Sequence, residues 1–154
     1  MTGIRPARPG DAPGIAAIMA PIIRDTTITF SPTPLAPEGV DIANTFVATQ
    51  GAEVIGFAKH GPFRGGAGYA HTAEITLHLA PQARGTGLGK ALLEQLEIQA
   101  RDAGKHSLIA GISAENDNAI GFHAHHGFAE VGRVPQAGHK FGRYIDLVLM
   151  QKFL

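Results

Sequence analysis

The segment of residues 73–104 places a strand pattern, a glycine-rich loop and a helix pattern in direct succession, and it constrains the fold more than any other part of the chain. Residues 73–79 read AEITLHL, which is typical of a strand. Residues 88–103 predict an amphipathic helix, because apolar residues recur at i, i+4 spacing and Gly104 stands just past the end. A strand that turns through glycines into a helix presents backbone N–H groups to a ligand.

The loop at residues 84–90, RGTGLGK, suits an anionic ligand. Its glycines let successive N–H groups turn inward and the helix N-terminus adds positive potential, which together meet the needs of a pyrophosphate. A Walker loop would require glycine at 84 and Ser or Thr at 91, where Arg84 and Ala91 stand. The dinucleotide fingerprint would require glycine at 90, where Lys90 stands. Neither standard loop fits, and a glycine-rich turn that only begins a helix stays open as the plainer alternative.

The other periodic segments predict strands and helices mixed within one domain spanning residues 1–154. Asp11 is expected to cap a first helix that begins near Ala12 and carries Ile15, Ile18 and Met19 on one face. Further helices are expected from residue 37 to about residue 47 and over residues 118–126. Extended segments are expected at residues 4–7, 26–30, 46–49, 53–60, 108–112 and 144–150.

The composition of the chain excludes several classes of function. The 154 residues are 44% hydrophobic and 17% charged, so the chain can bury a core. Thirteen Lys and Arg balance thirteen Asp and Glu, and the absence of a basic run argues against a nucleic-acid partner. The lack of cysteine excludes disulfides, thiolate metal sites and cysteine nucleophiles. Neither a membrane span of roughly 20 apolar residues nor a signal-peptide pattern is present, so a cytoplasmic protein without a membrane partner is expected.

The pattern R-x-x-G-x-G, formed by Arg84, Gly87 and Gly89, resembles motif A of the GNAT superfamily of N-acetyltransferases. It follows the strand ITLHL and precedes ALLEQLEIQA, as in that family. The opening IRPARPGDAPGIAAI is similar to the family's first strand and helix, and Asn116 with the later Gly127-Phe128 is similar to its closing segment. The resemblance implies an α+β fold with a mixed, mostly antiparallel central sheet flanked by helices. It also implies acetyl-CoA as co-substrate.

Three further segments narrow the resemblance to the phosphinothricin acetyltransferase subfamily. They are TTITF at residues 26–30, GYAHTAE at residues 68–74 and GHKFGRYID at residues 138–146. The resemblance implies a detoxifying enzyme that transfers an acetyl group from acetyl-CoA to the α-amino group of a small glutamate-like amino acid. Phosphinothricin, methionine sulfoximine and methionine sulfone are the acceptors it implies. It also implies a homodimer.

The same resemblance assigns roles to single residues. Glu74 takes the position of the general base, and His123 takes that of the tyrosine that protonates the departing CoA thiolate in many relatives. An amine must lose a proton before it attacks a thioester, and Glu74 is the only acidic residue between Glu53 and Glu94. The residues expected to bind the cofactor are Leu77, His78, Leu79, Arg84, Gly85, Thr86, Gly87, Leu88, Gly89, Lys90, Asn116 and His125. Those expected to bind the substrate are Phe30, Gly68, Tyr69 and Ala70.

The chain departs from the subfamily pattern at four positions, which leaves the acceptor open; the residues found there are Ala70, Ile75, His78 and His125. A polyamine, a peptide N-terminus and an acyl-CoA sensor without turnover stay as alternatives. No metal is expected, because His123 and His126 share a helical face with no third ligand at zinc-like spacing. Arg143 either faces a carboxylate other than that of Asp146 or pairs with Asp146, and the sequence does not decide between the two.

Overall fold

A seven-stranded sheet runs through the computed structural model, which describes all 154 residues. The strands are β1 (Thr2–Pro6), β2 (Thr45–Gln50), β3 (Glu53–Pro62), β4 (Thr72–Leu79), β5 (Ser107–Ser113), β6 (Ala129–Lys140) and β7 (Arg143–Phe153). The helices are α1 (Ala12–Asp25), α2 (Leu88–Asp102) and α3 (Asp117–His125). None of the helices is both long and apolar enough to span a lipid bilayer.

The strands follow the order β1-β2-β3-β4-β5-β7-β6, and every neighbouring pair is antiparallel except β4 and β5. This confirms the predicted α+β class and the mostly antiparallel sheet. The parallel pair requires a crossover, which α2 supplies. Pairing between β4 and β5 begins at Thr72 with Ser107 and ends at Ile75 with Ala110. Past that point β4 stays paired with β3 and β5 with β7, but β4 and β5 no longer pair with each other, so the sheet opens between them.

The two longer helices cover opposite faces of the sheet. In α2 the predicted apolar stripe is the buried one, since Leu92, Leu96 and Ala100 have no solvent exposure. Gly56 of β3 leaves room for neighbours from two elements, since a Cβ there would lie 2.7 Å from Leu79 Cδ2 of β4 and 3.3 Å from Leu92 Cδ1 of α2. The helix α1 buries Ile15, Ile18 and Ile22 in the same continuous core. The sheet is therefore enclosed on both sides around its central strands.

Two predictions for the segment between α1 and β2 are wrong. No helix spans residues 37–47; a single 3₁₀ turn at Pro37–Gly39 is followed by a loop, and β2 begins at Thr45. Pairing with both β1 and β3 overrides the local apolar pattern there. Residues 26–30 form a bend instead of a strand. Threonine hydroxyls stabilise the bend, since Thr26 Oγ1 donates to the Ile22 carbonyl and accepts from the Ile28 N–H.

Two further differences concern Asp11 and β6. The Asp11 carboxylate does not cap α1. It accepts hydrogen bonds from the Arg5 guanidinium at 2.7 and 2.9 Å and from the Arg8 N–H, and the Arg5 contact lowers the pKa of Asp11. The sequence analysis did not predict β6, whose pattern is interrupted by glycines and Pro135. Its pairing with β7 tolerates these residues through two register shifts.

The buried stripe of α2 predicts a large effect of truncation. Leu96→Ala should lower the free energy of unfolding by about 2–5 kcal/mol, because the side chain is fully enclosed and leaves a cavity. Urea denaturation followed by circular dichroism measures the loss. The matched control is Ile98→Ala on the same helix, where the side chain is 49% exposed and a clearly smaller loss is expected. Equal losses would contradict the packing described above.

Candidate active site

Two adjoining depressions lie where β4 and β5 separate. The first, which we call the inner cavity, has a volume of about 220 Å³. Its polar lining consists of Thr29, Glu74, Thr76, His78, Asn116 and His123. The second, which we call the outer groove, has a volume of about 400 Å³ and runs along the end of β4 to the glycine loop. His78, Asn116 and His123 line both, so the two depressions are continuous.

Glu74 is the only carboxylate that lines the inner cavity. Its register partner on β5 is Ile109, and its carboxylate lies beside Gly111, where a Cβ would be 3.4 Å from Glu74 Oε1. The side chain keeps solvent access, yet the walls of the cavity remove part of its hydration and raise the pKa of Glu74. No cation or hydrogen-bond donor of the protein lies on the carboxylate. A carboxylate in this state is suited to accept a proton.

His123 lies on α3 and is 7% exposed. Its Nδ1 lies 2.7 Å from the carbonyl oxygen of Ala119, one turn earlier in the helix. The rings of Phe122 and Phe128 meet the imidazole edge to face, with centroid separations of 5.3 and 5.1 Å. Burial in this apolar setting lowers the pKa of His123. The fold thus brings together Glu74 and His123, which are far apart in the sequence, on one small cavity.

His78 stands at the junction of the inner cavity and the outer groove. Its ring packs against Phe57 with a centroid separation of 5.7 Å, and no protein group is hydrogen-bonded to it. Burial, with a smaller contribution from Arg84, lowers the pKa of His78 to about 4. The imidazole is therefore neutral around neutrality.

The glycine loop borders the far end of the outer groove through Arg84, Gly85 and Gly89. The backbone N–H groups of residues 85–90 have no hydrogen-bond acceptor within the protein. Gly85 and Gly87 have φ angles of +74° and +84°, which an L side chain rarely adopts, so the backbone conformation itself requires glycine. A loop with free N–H groups at the N-terminus of α2 fits a pyrophosphate. Lys90 points away, and its ammonium lies 3.8 Å from Glu94.

The N-terminus of α3 borders both depressions. Asn116 caps the helix, because its Oδ1 accepts a hydrogen bond from the Ala119 N–H at 3.2 Å. Its Nδ2 donates to no protein group and is left for a ligand. Sequence and structure agree on the short helix here, which begins at Asp117.

Several residues predicted for the site do not line either depression. Phe30 packs against Gly138 of β6, where a Cβ would collide with its ring. Gly68, Tyr69 and Ala70 lie in the loop that precedes β4, where Tyr69 stacks with Phe63 and Arg64. His125 is exposed, with its ring against His126. No group of three or more His, Cys, Asp or Glu side chains is arranged to hold a metal ion.

One wall of the inner cavity, formed by the bend at residues 26–30, was not predicted from the sequence. Met19, Ile28 and Thr29 line the inner cavity, together with residues 110–112 of β5. The signal that could have found the wall is the run of threonines, whose hydroxyls favour a bend over a strand. Residues 26–30 thus contribute to the site through Ile28 and Thr29, and Phe30 lies outside it.

Two contacts hold this bend in place. Lys140 is 3% exposed, and its ammonium donates to the carbonyls of Thr26 and Thr29 at 2.6 and 2.9 Å. No carboxylate pairs with it, and burial lowers the pKa of Lys140. Arg143 pairs with Glu115 instead of Asp146, and Thr27 Oγ1 donates to the same carboxylate at 2.6 Å. The Arg143 contact lowers the pKa of Glu115 to about 2.

A larger apolar cavity of about 490 Å³ lies on the other side of the bend, between α1 and the tip of the hairpin formed by β6 and β7. Its lining contains no carboxylate and none of the residues of the inner cavity. We therefore take the inner cavity and the outer groove as the candidate active site.

The family model described as the Acetyltransferase (GNAT) family matches residues 24–128. This stretch contains the bend, β4, the glycine loop and α3. The chain therefore belongs to the GNAT acetyltransferase family and is an acetyl-transferring enzyme, as the motifs at residues 84–90 predicted.

Relatives with named activities cover almost the whole chain. It is 37% identical to an L-methionine sulfoximine/L-methionine sulfone acetyltransferase of Pseudomonas paraeruginosa, over 96% of this chain and 92% of the relative. It is 29% identical to a phosphinothricin N-acetyltransferase of Streptomyces coelicolor, over 97% of this chain and 94% of the relative.

Solved structures share the fold closely. A ribosomal-protein-alanine N-acetyltransferase of Brucella melitensis superimposes with a TM-score of 0.93 at 37% identity, over 99% of each chain. An acetyltransferase of Salmonella typhimurium with its cofactor acetyl-CoA superimposes with a TM-score of 0.93 at 30% identity, over 100% of this chain and 94% of the other. Family and fold are thus shown by both kinds of comparison.

The contacts of Lys140 predict how its removal affects the site. Lys140→Met should lower the free energy of unfolding by about 1–3 kcal/mol, because two buried carbonyls lose their donor. It should also raise the KM of the acceptor more than that of the acetyl donor, since Thr29, whose carbonyl Lys140 binds, lines the inner cavity and not the outer groove. Denaturation and steady-state kinetics measure the two effects. Lys59→Met is the matched control, because Lys59 donates to a single exposed carbonyl.

Proposed function

We propose that this enzyme transfers the acetyl group of acetyl-CoA to the α-amino group of a small amino acid with a neutral polar side chain, such as methionine sulfone or methionine sulfoximine. The observation that carries the proposal is the inner cavity, which holds one unpaired carboxylate and two imidazoles, those of His78 and His123. It opens directly into a groove that ends at free backbone N–H groups. An amine acceptor and a long anionic donor fit these two parts of the site.

The outer groove supports acetyl-CoA as the co-substrate, which supplies the activated thioester. The N–H groups of residues 85–90 would hold its pyrophosphate, with Arg84 adding charge. On the side of β4 that faces β5, the backbone past Ile75 has no strand partner. Leu77, His78 and Leu79 would therefore bind the amides of the pantetheine arm, and Asn116 Nδ2 would donate to the same arm. The acetyl-CoA bound to the Salmonella relative supports acetyl-CoA as the co-substrate.

Glu74 acts on the acceptor as general base in this proposal. An ammonium in the inner cavity would be drawn to the only carboxylate there. The raised pKa of Glu74 brings its basicity closer to that of an amine acceptor than an exposed glutamate would be. Because the carboxylate keeps solvent access, it can release the proton to water after each turnover.

The preference for an acceptor with a neutral side chain follows from the lack of cationic side chains on the lining of the inner cavity. No Lys or Arg lines it. Three basic side chains of the surrounding elements are engaged elsewhere: Lys140 with two carbonyls, Arg143 with Glu115, and Lys59 with the carbonyl of Asp41. Arg84 lines the outer groove and not the inner cavity. An anionic phosphinate would enter without a partner, which is costly in a partly desolvated site. A sulfone or sulfoximine instead accepts hydrogen bonds from hydroxyls such as those of Thr29 and Thr76.

A peptide N-terminus is the second candidate acceptor. The same lack of cations leaves the α-carboxylate of a free amino acid without a partner inside the cavity. A peptide has no such carboxylate, and the Brucella relative is named for a protein substrate. For a free amino acid, Arg64 is the available cation, since it stacks on Tyr69 just before β4 and pairs with no carboxylate. This role would also explain the predicted involvement of Tyr69.

An assay of thiol release with acetyl-CoA tests the proposal. The acceptors are methionine sulfone, methionine sulfoximine, phosphinothricin, methionine sulfone amide, an alanyl peptide and spermidine. We expect the sulfone to exceed phosphinothricin in kcat/KM by about tenfold or more, which corresponds to about 1.4 kcal/mol of unpaired charge. Preference for the amide or the peptide would favour the second candidate. Binding of CoA without turnover of any acceptor would favour a sensor.

Glu74→Gln should lower kcat/KM by about 10²–10⁴-fold, because the amide cannot take a proton. The Kd of CoA should not change, since Glu74 lies outside the outer groove. In the wild-type enzyme the rate should fall as the pH drops through the raised pKa of Glu74, and this fall should be absent from the variant. The matched control is Glu94→Gln on the exposed face of α2. Unchanged turnover of Glu74→Gln would remove Glu74 from the mechanism.

We also propose a homodimer in the cytoplasm. The outer edge of β6 carries no partner strand, and Val131 and Val134 on it are exposed. Both features are compatible with association of two copies. Analytical ultracentrifugation checks the assembly, with a monomer at assay concentration as the contradicting result.

A further inference from the structure

We propose that His123 is a proton relay between the acceptor nitrogen and the CoA sulfur, and that it takes up a proton before it gives one. This inference rests on the proposed function. It replaces the simpler expectation, in which His123 only donates a proton to the departing thiolate, with a role in which one ring nitrogen is base and acid in turn.

The hydrogen bond of the His123 ring selects one tautomer. Its Nδ1 lies 2.7 Å from the carbonyl oxygen of Ala119, and a carbonyl oxygen can only accept a hydrogen bond. Nδ1 therefore carries a hydrogen and donates it. In the neutral imidazole the other nitrogen, Nε2, then has no hydrogen and presents a lone pair.

The imidazole of His123 is neutral, and its Nε2 is accessible from the cavity. Phe122 and Phe128 flank the ring, and the resulting burial favours the neutral form. No buried side-chain nitrogen or oxygen of this protein lacks a hydrogen-bond partner. Since Nε2 has no partner in the protein, it must reach the accessible surface of the cavity that His123 lines. The lone pair is thus available to a ligand.

Four charged or titratable groups surround the imidazole of His123. Glu74 and His78 share the inner cavity from β4, Arg84 borders the outer groove, and His126 follows at the end of α3. Only Glu74 favours a protonated imidazole by its charge. The only hydrogen bond of the imidazole is that of Nδ1 with Ala119, so no protein group supplies Nε2 with a proton in the resting enzyme. A proton for the thiolate must therefore come from the reaction itself.

The reaction supplies such a proton. Glu74 takes one proton from the acceptor ammonium, and the freed electron pair forms the C–N bond while the carbonyl pair moves to oxygen. The nitrogen now carries a positive charge and a surplus proton, which Nε2 takes. The oxygen pair then returns, the C–S bond breaks with its pair on sulfur, and Nε2 gives the proton to the thiolate. His123 ends neutral, and the net products are the amide, the free thiol and one proton released through Glu74.

One imidazole nitrogen can serve both atoms because nitrogen and sulfur are bonded to the same carbon at this stage. The hydrogen bond to Ala119 holds the ring so that Nε2 alone faces the site. A pinned ring with one free nitrogen is suited to a transfer between two neighbouring atoms and unsuited to donation from the resting state.

The tautomer is tested on the free enzyme and on its complex with CoA by ¹⁵N NMR of histidine-labelled protein, with His123→Gln assigning the signal. We expect a neutral ring with hydrogen on Nδ1 at about neutral pH. A neutral ring with hydrogen on Nε2, or an imidazolium, would overturn the proposal. This readout does not depend on activity.

The order of proton uptake is tested by the pH dependence of acetyl transfer in a single turnover with methionine sulfone. A relay needs neutral His123, so the rate should stay level or rise as the pH increases above about 6.5. A donor that starts as imidazolium predicts a fall of about tenfold per pH unit over the same range, which would overturn the relay. His123→Gln should lower this rate by about 10²-fold with little change in either KM, and an unchanged rate would exclude any proton transfer by His123.

Different results would contradict the proposed function and the relay. If no amino acid in the panel is acetylated, the proposed function fails and the relay fails with it. If acetylation proceeds but the rate falls on the alkaline side, only the relay fails. The matched control is His106→Gln, at an exposed histidine before β5 whose ring packs on Phe153, for which an unchanged rate is expected.

Discussion

The early end of pairing between β4 and β5 is the constraint on which the site depends. The two strands are parallel neighbours up to Ile75 and Ala110 and then separate. The gap exposes the backbone of β4 to the outer groove and leaves room beside Gly111 for the Glu74 carboxylate. The crossover helix α2 must begin where β4 ends, which places the glycine loop at the far end of the same groove. The sheet opening therefore aligns the base, the thioester position and the pyrophosphate loop.

The inner wall of the site depends on a second arrangement, the attachment of the bend at residues 26–30 to the far hairpin. Lys140 places an ammonium without a carboxylate partner in a buried position, where the carbonyls of Thr26 and Thr29 and the ring of Phe141 compensate its lost hydration. The Arg143 pair with Glu115 ties the same bend to the start of α3 through Thr27. Because α3 carries His123, the hairpin holds both walls of the inner cavity in one framework.

Burial acts in opposite directions on the ionisable groups of this cavity, and that difference gives them distinct chemistry. It raises the pKa of Glu74 and lowers those of His78 and His123, because loss of hydration disfavours whichever form is charged. In the resting enzyme the inner cavity therefore carries little charge besides that of Glu74. A neutral imidazole that already donates through Nδ1 can only begin as an acceptor, which is why the structure favours a relay over a simple acid.

Local sequence determined the glycine loop, the α2 stripe and the position of Glu74, because turn chemistry and apolar periodicity depend on neighbours along the chain. Only the tertiary structure decided the rest. Residues 37–47 did not adopt the predicted helix, since pairing of β2 outweighed the local apolar pattern. The bend at residues 26–30 uses local threonine hydrogen bonds, and Lys140 of β6 fixes its position. Glu74 and His123 share one cavity, and Arg143 selects Glu115, because contacts between distant segments are fixed by the packing of the sheet and leave no periodic signal in the sequence.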